Sequence, residues 1–100
     1  MAKLEGPEAF APQARKVLEQ AKNALRYCYE RVLRMNPNVS GALTIAFTVA
    51  PTGAVSTASL DGAGVDPSLD ACLVSRVRAQ HFPQPAEPTT LRVRLSFAAQ

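Results

Sequence analysis

The sequence has few of the residues from which enzyme and metal sites are usually built. Its 100 residues include two cysteines and one histidine, whereas a structural zinc site normally needs four such ligands. No serine lies in a Gly-x-Ser-x-Gly motif, and His81 has no evident nucleophile to activate. We therefore interpret His81 as a surface histidine at a helix end. The prediction is a protein that is not an enzyme and has neither a metal nor a cofactor.

Long apolar runs are also missing. No stretch approaches the ~18–20 residues that span a bilayer, and the first ten residues lack the apolar region of a secretory signal. If the domain works outside the cytoplasm, we expect a longer protein to supply the exporting segment. Residues 1–11 are then a leader or linker remnant ahead of a domain at 12–100, and membrane contact occurs only through an anchor absent from this chain.

Large apolar side chains are scarce as well. Hydrophobic residues make up 47% of the chain, but 17 of them are alanines, which leaves 30 larger ones. A core this thin suits one small domain and leaves little interior for a catalytic cleft. The net charge of +3 suits a soluble domain and does not require a nucleic-acid partner.

Three carboxylates, Asp61, Asp66 and Asp70, fall in one region without an evident catalytic purpose. Hydrolysis by a carboxylate pair needs a substrate cleft, and Asp66 is better explained as a helix cap. The glycine-containing segment 61–64 lacks the Gly-Lys-Ser/Thr ending of a phosphate-binding loop. This region is therefore interpreted as structural.

Two segments have the spacing of amphipathic helices. Between residues 12 and 35, apolar residues recur every three or four positions, and Asn36-Pro37 ends the pattern. A shorter stripe follows Asp66, with Pro67 at the first helical position. The prediction is one long helix and one shorter helix.

Three segments alternate apolar and polar residues, as half-buried strands do. Residues 43–49 and 91–97 alternate clearly, while 54–60 is weaker because its side chains are small. The order α-β-β-α-β predicts a two-layer α+β fold, a split βαβ, with two helices packed on a three-stranded antiparallel sheet. If the first strand is central, the last strand lies at an edge, open unless another segment pairs with it.

The two cysteines, Cys28 and Cys72, fall on the apolar stripes of the two predicted helices. They can be free, buried and merely hydrophobic. Alternatively, they can form a disulfide, because both helices should lie on the same face of the sheet. Such a bridge would close a loop of about 45 residues and stabilise the fold by roughly 4 kcal/mol. The residues alone leave both interpretations open.

Two surfaces invite a binding interpretation. Tyr27 and Tyr29 interleave with arginines on the first helix, a combination that can bind nucleic acid, although Glu30 in their midst favours a simple solvated face. Arg92 and Arg94 point away from the core on the last strand. They can keep an edge strand soluble or frame a docking edge to which an extended peptide adds a strand.

The order of short motifs along the chain is distinctive: RYCYE at 26–30, Asn-Pro at 36–37, Gly at 41, Pro-Thr-Gly at 51–53, Ala-Cys-Leu at 71–73 and Phe-Pro at 82–83. From about residue 25 to 97 this order resembles the AgmX/PglI C-terminal domain, a TonB-like module best known from myxobacterial gliding-motility proteins. One departure is Gln80, at a position where family members often have an aromatic residue.

The resemblance implies a periplasmic domain of a protein anchored in the inner membrane, with a protein partner in the periplasm or outer membrane. It also implies that Cys28 and Cys72 are paired in an oxidising compartment. TonB-like domains bind a partner segment by strand addition at the last strand, here about 89–97. Thr90, Arg92 and Arg94 are accordingly the candidate contacts.

The function expected from this resemblance is non-enzymatic: a link in an envelope-spanning machine for energy transduction, transport or gliding motility. An alternative is a structural domain that self-associates through the same edge, so the expected state is a monomer or weak homodimer. A basic nucleic-acid-binding domain is the lesser alternative, and no nucleic-acid partner is expected.

Overall fold

The computed structural model describes residues 2–6 and 10–97. Its elements, in chain order, are β1 (Ala2–Glu5), α1 (Ala11–Gln20), α2 (Lys22–Met35), β2 (Gly41–Val49), β3 (Val55–Leu60), α3 (Pro67–Arg78) and β4 (Thr89–Phe97).

The predicted α+β architecture is confirmed. The three predicted strands are antiparallel neighbours, with β2 between β3 and β4. The structure adds a fourth strand, because β1 pairs antiparallel with β4 and gives the sheet order β1-β4-β2-β3. Four residues that were expected to belong to a leader therefore form part of the sheet.

The single long helix predicted between residues 12 and 35 is two helices. The break falls at Ala21, whose φ of −86° and ψ of −1° separate α1 from α2. Neither proline nor glycine occurs at this point. The two helices follow different neighbours, because α1 contacts β1 and α2 contacts α3. The break is thus a consequence of tertiary packing.

The β2–β3 hairpin turns at Gly53. Its φ of +89° is a conformation that favours glycine. The amide of Gly53 donates to the Ala50 carbonyl at 2.8 Å, and the Gly53 carbonyl accepts from the Phe82 amide at 2.9 Å. A side chain at position 53 would run into the Phe82 carbonyl. The turn and the segment after α3 are therefore locked together.

The core lies between the sheet and the helices. The inward face of the sheet buries alternate residues of its long strands: Leu43, Ile45, Phe47, Val49, Leu91, Val93 and Leu95. The helices cover this face with a second set: Leu18, Leu25, Cys28, Val32, Leu69, Leu73 and Val77. Among the residues whose burial the structure describes, no charged side chain is buried. The core is thus formed by the hydrophobic residues of the two layers.

The start of α3 follows from two aspartates. Asp66 is extended at the N-cap, and its carboxylate accepts from the amides of Ser68 (2.9 Å) and Leu69 (3.1 Å). One turn later, the Asp70 carboxylate reaches back to the amide of Val65 at 3.0 Å. Both carboxylates accept from amides at or just before the N-terminal end of the helix, which confirms the prediction that Asp66 is its cap.

Replacing the cap should measurably weaken the fold. We expect Asp66→Ala to lower the free energy of unfolding by about 1 kcal/mol, because two amides lose their acceptor. Asp66→Asn is the matched control, since its side-chain oxygen can still accept. Urea unfolding followed by circular dichroism measures both. An equal loss in the two variants would show that the cap hydrogen bonds are not responsible.

Candidate functional site

The predicted partner-binding residues lie together on one strand and one face. Thr90, Arg92 and Arg94 alternate along β4 with buried Leu91 and Val93, and all three are exposed. They belong to the face of the sheet opposite the helices. Their side chains can therefore be reached from solvent.

The direction in which their amides and carbonyls point follows from one hydrogen bond between β2 and the residue after β3. The amide of Asp61 donates to the Thr44 carbonyl at 2.8 Å, so Thr44 turns its backbone groups toward β3. Antiparallel strands alternate between hydrogen-bonded and non-hydrogen-bonded pairs. Ile45 and Phe47, one and three positions on, therefore turn their amides and carbonyls toward β4.

The same alternation continues into β4. Val93 lies opposite Ile45 and Leu91 opposite Phe47, so these residues make the hydrogen bonds to β2. The residues between and beside them, Thr90, Arg92 and Arg94, turn their amides and carbonyls away from β2. The three candidates are thus among the residues of β4 whose backbone donors and acceptors point away from β2.

Strand β1 already occupies part of this edge. It places Glu5 opposite Arg92 and Lys3 opposite Arg94. The sequence predicted an open last strand unless another segment paired with it. Strand β1 does pair there, so the prediction of an open edge is wrong for these two residues. The pairing of β1 ends at Glu5, so Thr90 lies beyond the end of this short strand.

The Leu4 side chain anchors β1 in the core. Leu4 lies opposite Val93 and is 9% exposed, as part of the core cluster. The chain then passes close over the sheet at Gly6, where a Cβ atom would lie 2.7 Å from Leu91 Cδ2. Gly6 therefore permits an approach that a larger residue would obstruct at the end of β1.

Arg92 also reaches across the outer face of the sheet. Its Nε lies 3.0 Å from Asp61 Oδ2, with the two side chains 61% and 46% exposed. The register puts Ala46 and Thr44 of β2 between them, and these small side chains leave the path clear. A pair this exposed contributes at most about 1 kcal/mol. Its effect is to hold the Arg92 guanidinium over the face.

At the opposite edge of the sheet, helix α3 covers part of strand β3. By the same alternation, Ala58 of β3 turns its carbonyl away from β2. Arg78 of α3 donates to that carbonyl through Nη2 at 3.1 Å. Covering an edge strand with a helix discourages pairing with another chain, and this arginine of α3 occupies an outward carbonyl of β3. The β1–β4 side is therefore the better candidate for strand addition.

Cys28 and Cys72 form a disulfide, with an S–S distance of 2.06 Å and a Cα–Cα distance of 5.7 Å. It joins α2 to α3 over the sheet, and Cys28 is fully buried. The interpretation as two free cysteines is wrong. A disulfide is compatible with an oxidising, extracytoplasmic location.

The arginine–tyrosine cluster is not one surface. Tyr27 is 46% exposed, and the Arg31 guanidinium lies 5.9 Å from its ring centroid. Tyr29 turns inward, where its hydroxyl donates to the Val39 carbonyl at 2.7 Å and its ring contacts Phe97. Only one of the two tyrosines is thus available for stacking on a base.

The other candidates for chemistry lie apart. His81 is exposed and forms an isolated backbone bridge with Ala54. No group of three or more histidine, cysteine or acidic side chains in the described ranges could hold a metal ion. None of the helices in that part of the chain has the length and apolar character of a membrane span.

Strand β1 was not predicted from the sequence as part of the site. The signal was present but short: Ala2 and Leu4 alternate with Lys3 and Glu5, the pattern of a half-buried strand. Comparison with protein-family models, with curated proteins and with solved structures finds no match to this chain.

Proposed function

We propose that this chain is a non-enzymatic, periplasmic protein-interaction module that binds an extended partner segment by strand addition at β4. The observation that carries the proposal is the pairing of β4 with β1, a segment of four residues whose Leu4 side chain is buried. In this pairing the outward edge of β4 already holds an extended backbone, which supports the proposal. Main-chain hydrogen bonds supply affinity in such complexes, and alternate side chains supply specificity.

Two further features support this proposal. The disulfide suits a domain that works in an oxidising compartment such as the periplasm. The motif order that resembles AgmX/PglI C-terminal domains suggests the kind of machine, one that spans the envelope and transmits force for motility or transport. In such a machine the partner would lie in the periplasm or outer membrane.

A probe peptide follows from the inward residues of β4. The sequence Ala-Gln-Leu-Gln-Val-Thr with blocked ends, here the Gln peptide, runs antiparallel in the register of β1. It sets alanine opposite Leu95, leucine opposite Val93 and valine opposite Leu91. The first two pairings repeat those of β1 with β4, and the third extends past its end. Backbone amide shifts on titration should change most in residues 89–97.

Proline at position 90 should block this binding. Thr90 turns its amide outward, so Thr90→Pro removes a donor to the added strand and sets the proline ring in its path, while leaving the pairing with β2. We expect the Gln peptide to bind at least about tenfold more weakly, by titration of amide shifts, a loss of roughly 1.4 kcal/mol.

Two control variants separate this effect from general damage. Thr90→Val keeps the backbone donor but removes the hydroxyl, which lies 3.0 Å from the Thr48 hydroxyl. Arg78→Met perturbs the opposite edge of the sheet. Both should bind the Gln peptide as the unaltered protein does. Equal weakening in Thr90→Val and Thr90→Pro would contradict backbone pairing at this position.

Self-association through the same edge is the alternative, and sedimentation distinguishes it. A concentration-dependent dimer that Thr90→Pro abolishes would favour a structural, self-pairing domain over a partner-binding module. A monomer that binds the peptide supports the proposal.

A further inference from the structure

We infer that β1 is a built-in, weak competitor for the partner, and that the partner segment carries acidic residues opposite both Arg92 and Arg94. The inference rests on the proposed function, because it concerns the same edge of β4. It adds the charge pattern of the partner segment. It also gives β1 a role, which is to cover the edge of β4 while no partner is bound.

The weakness of β1 is visible in its length and in its anchor. It pairs over four residues, from Ala2 to Glu5, whereas β4 has nine. Leu4 is its one residue in the described core cluster. A partner segment that continued past the position of Glu5 would also pair with Thr90. It would therefore gain main-chain contacts that β1 does not make.

The charges on β1 and β4 also indicate that β1 is held weakly. By the backbone register, Glu5 lies opposite Arg92 and Lys3 lies opposite Arg94. The sequence therefore puts opposite charges at the first of these pairs and like charges at the second. Like charges directly opposite in an antiparallel pair destabilise it. Arg94 is exposed and forms no ion pair with any residue whose side chain the structure describes. The position opposite Arg94 is thus where a partner can improve most on β1.

The partner that fits is an extended segment with the pattern acidic–aliphatic–acidic. Its first carboxylate lies opposite Arg94, its aliphatic side chain takes the place of Leu4 opposite Val93, and its second carboxylate lies opposite Arg92. Such a segment replaces one unfavourable charge pair of β1 with a favourable one and keeps the apolar anchor. Its binding releases residues 2–5 from the sheet.

Peptides that differ only in charge test the pattern. The Glu peptide, Ala-Glu-Leu-Glu-Val-Thr, should bind several-fold more tightly than the Gln peptide at low salt, and the Lys peptide, Ala-Lys-Leu-Lys-Val-Thr, should bind most weakly. The spread should shrink as salt rises, because these charges are exposed. Equal affinities of the three peptides at low salt would overturn the acidic pattern.

A charge reversal within β1 tests the competition. Lys3→Glu places opposite charges at the Arg94 position and should hold β1 more firmly. We expect the Gln peptide, which is uncharged, to bind about threefold or more weakly to this variant. Lys16→Glu is the matched control, because it makes the same change of net charge on the exposed side of α1. It should leave the affinity unchanged.

The outcomes separate this inference from the proposed function. If the Gln peptide shifts the amides of β4 but binds equally to the unaltered protein and to Lys3→Glu, strand addition stands and competition by β1 is wrong. If no peptide shifts the amides of β4 in any variant, the proposed function fails, and this inference fails with it. Tighter binding of the Glu peptide, together with weaker binding to Lys3→Glu, supports both.

Discussion

Removing the disulfide with the double substitution Cys28→Ala and Cys72→Ala should lower the free energy of unfolding by about 4 kcal/mol. The bridge closes a loop with a sequence separation of 44 residues, and the lost constraint on the unfolded chain accounts for the magnitude. Small domains are stable by only about 5–15 kcal/mol. Urea unfolding should be followed by far-ultraviolet circular dichroism, because the chain has no tryptophan.

The reduced protein provides the control for this variant. Unaltered protein in excess reductant should unfold at nearly the same urea concentration as the double variant, since both lack the crosslink. A loss below about 1 kcal/mol in the double variant would contradict the role of the bridge as the main covalent support of a thin core.

Truncating Phe47 should have an effect of similar size, about 3–5 kcal/mol for Phe47→Ala. The ring is 1% exposed, and its centroid lies 5.4 Å from that of Phe82 in a stacked arrangement. On the sheet, Phe47 lies opposite Leu91 of β4 and Ala58 of β3. The cavity would therefore open beneath the strand that carries the candidate site.

Two further substitutions provide controls for Phe47→Ala, with the free energy of unfolding measured in urea. Phe47→Leu keeps most of the volume and should cost less, about 1–2 kcal/mol. Tyr27→Ala removes an aromatic ring that is 46% exposed on α2, and should change the free energy of unfolding by about 0.5 kcal/mol or less. If Phe47→Ala cost no more than Tyr27→Ala, the packing described for the core would be wrong.

Local patterns in the sequence predicted the elements that have their own signals. The alternation in β2 and β4 is strong because one face of each is buried in the core. The start of α3 was predictable from Asp66 and Pro67, because capping and a proline at the first position act over a few residues.

The features that the sequence did not reveal depend on distant contacts. Strand β1 is too short to be recognised alone, and it is a strand because the edge of β4 is there to pair with it. The break at Ala21 has no proline or glycine to mark it and follows from the different neighbours of α1 and α2. The contact of Arg78 with the Ala58 carbonyl likewise requires the packing of α3 on β3.

The candidate site was therefore predicted in part. Thr90, Arg92 and Arg94 were named because TonB-like domains bind partners at the last strand, and the structure gives them outward-facing backbone groups. Whether a partner binds there stays a prediction. That β1 fills the edge changes the expected mechanism from binding at an open strand to exchange of one strand for another.

The fold connects its stability to this proposed exchange. The disulfide and the α3 cap lie in the helical layer over the sheet, and Phe47 of β2 stacks on Phe82. The main contacts of β1 are instead with β4 and α1. In the proposed exchange, the strand that leaves is therefore held mainly by β4 and α1.

The most direct test of the account is a nuclear magnetic resonance measurement at Val93. In the free protein the Hα atoms of Val93 and Leu4 face each other across a non-hydrogen-bonded pair, so they should show a strong mutual Overhauser effect. At saturating Glu peptide this effect should disappear and be replaced by one between Val93 and the peptide leucine. If the Val93–Leu4 effect persists while the peptide is bound, strand exchange at β4 is contradicted.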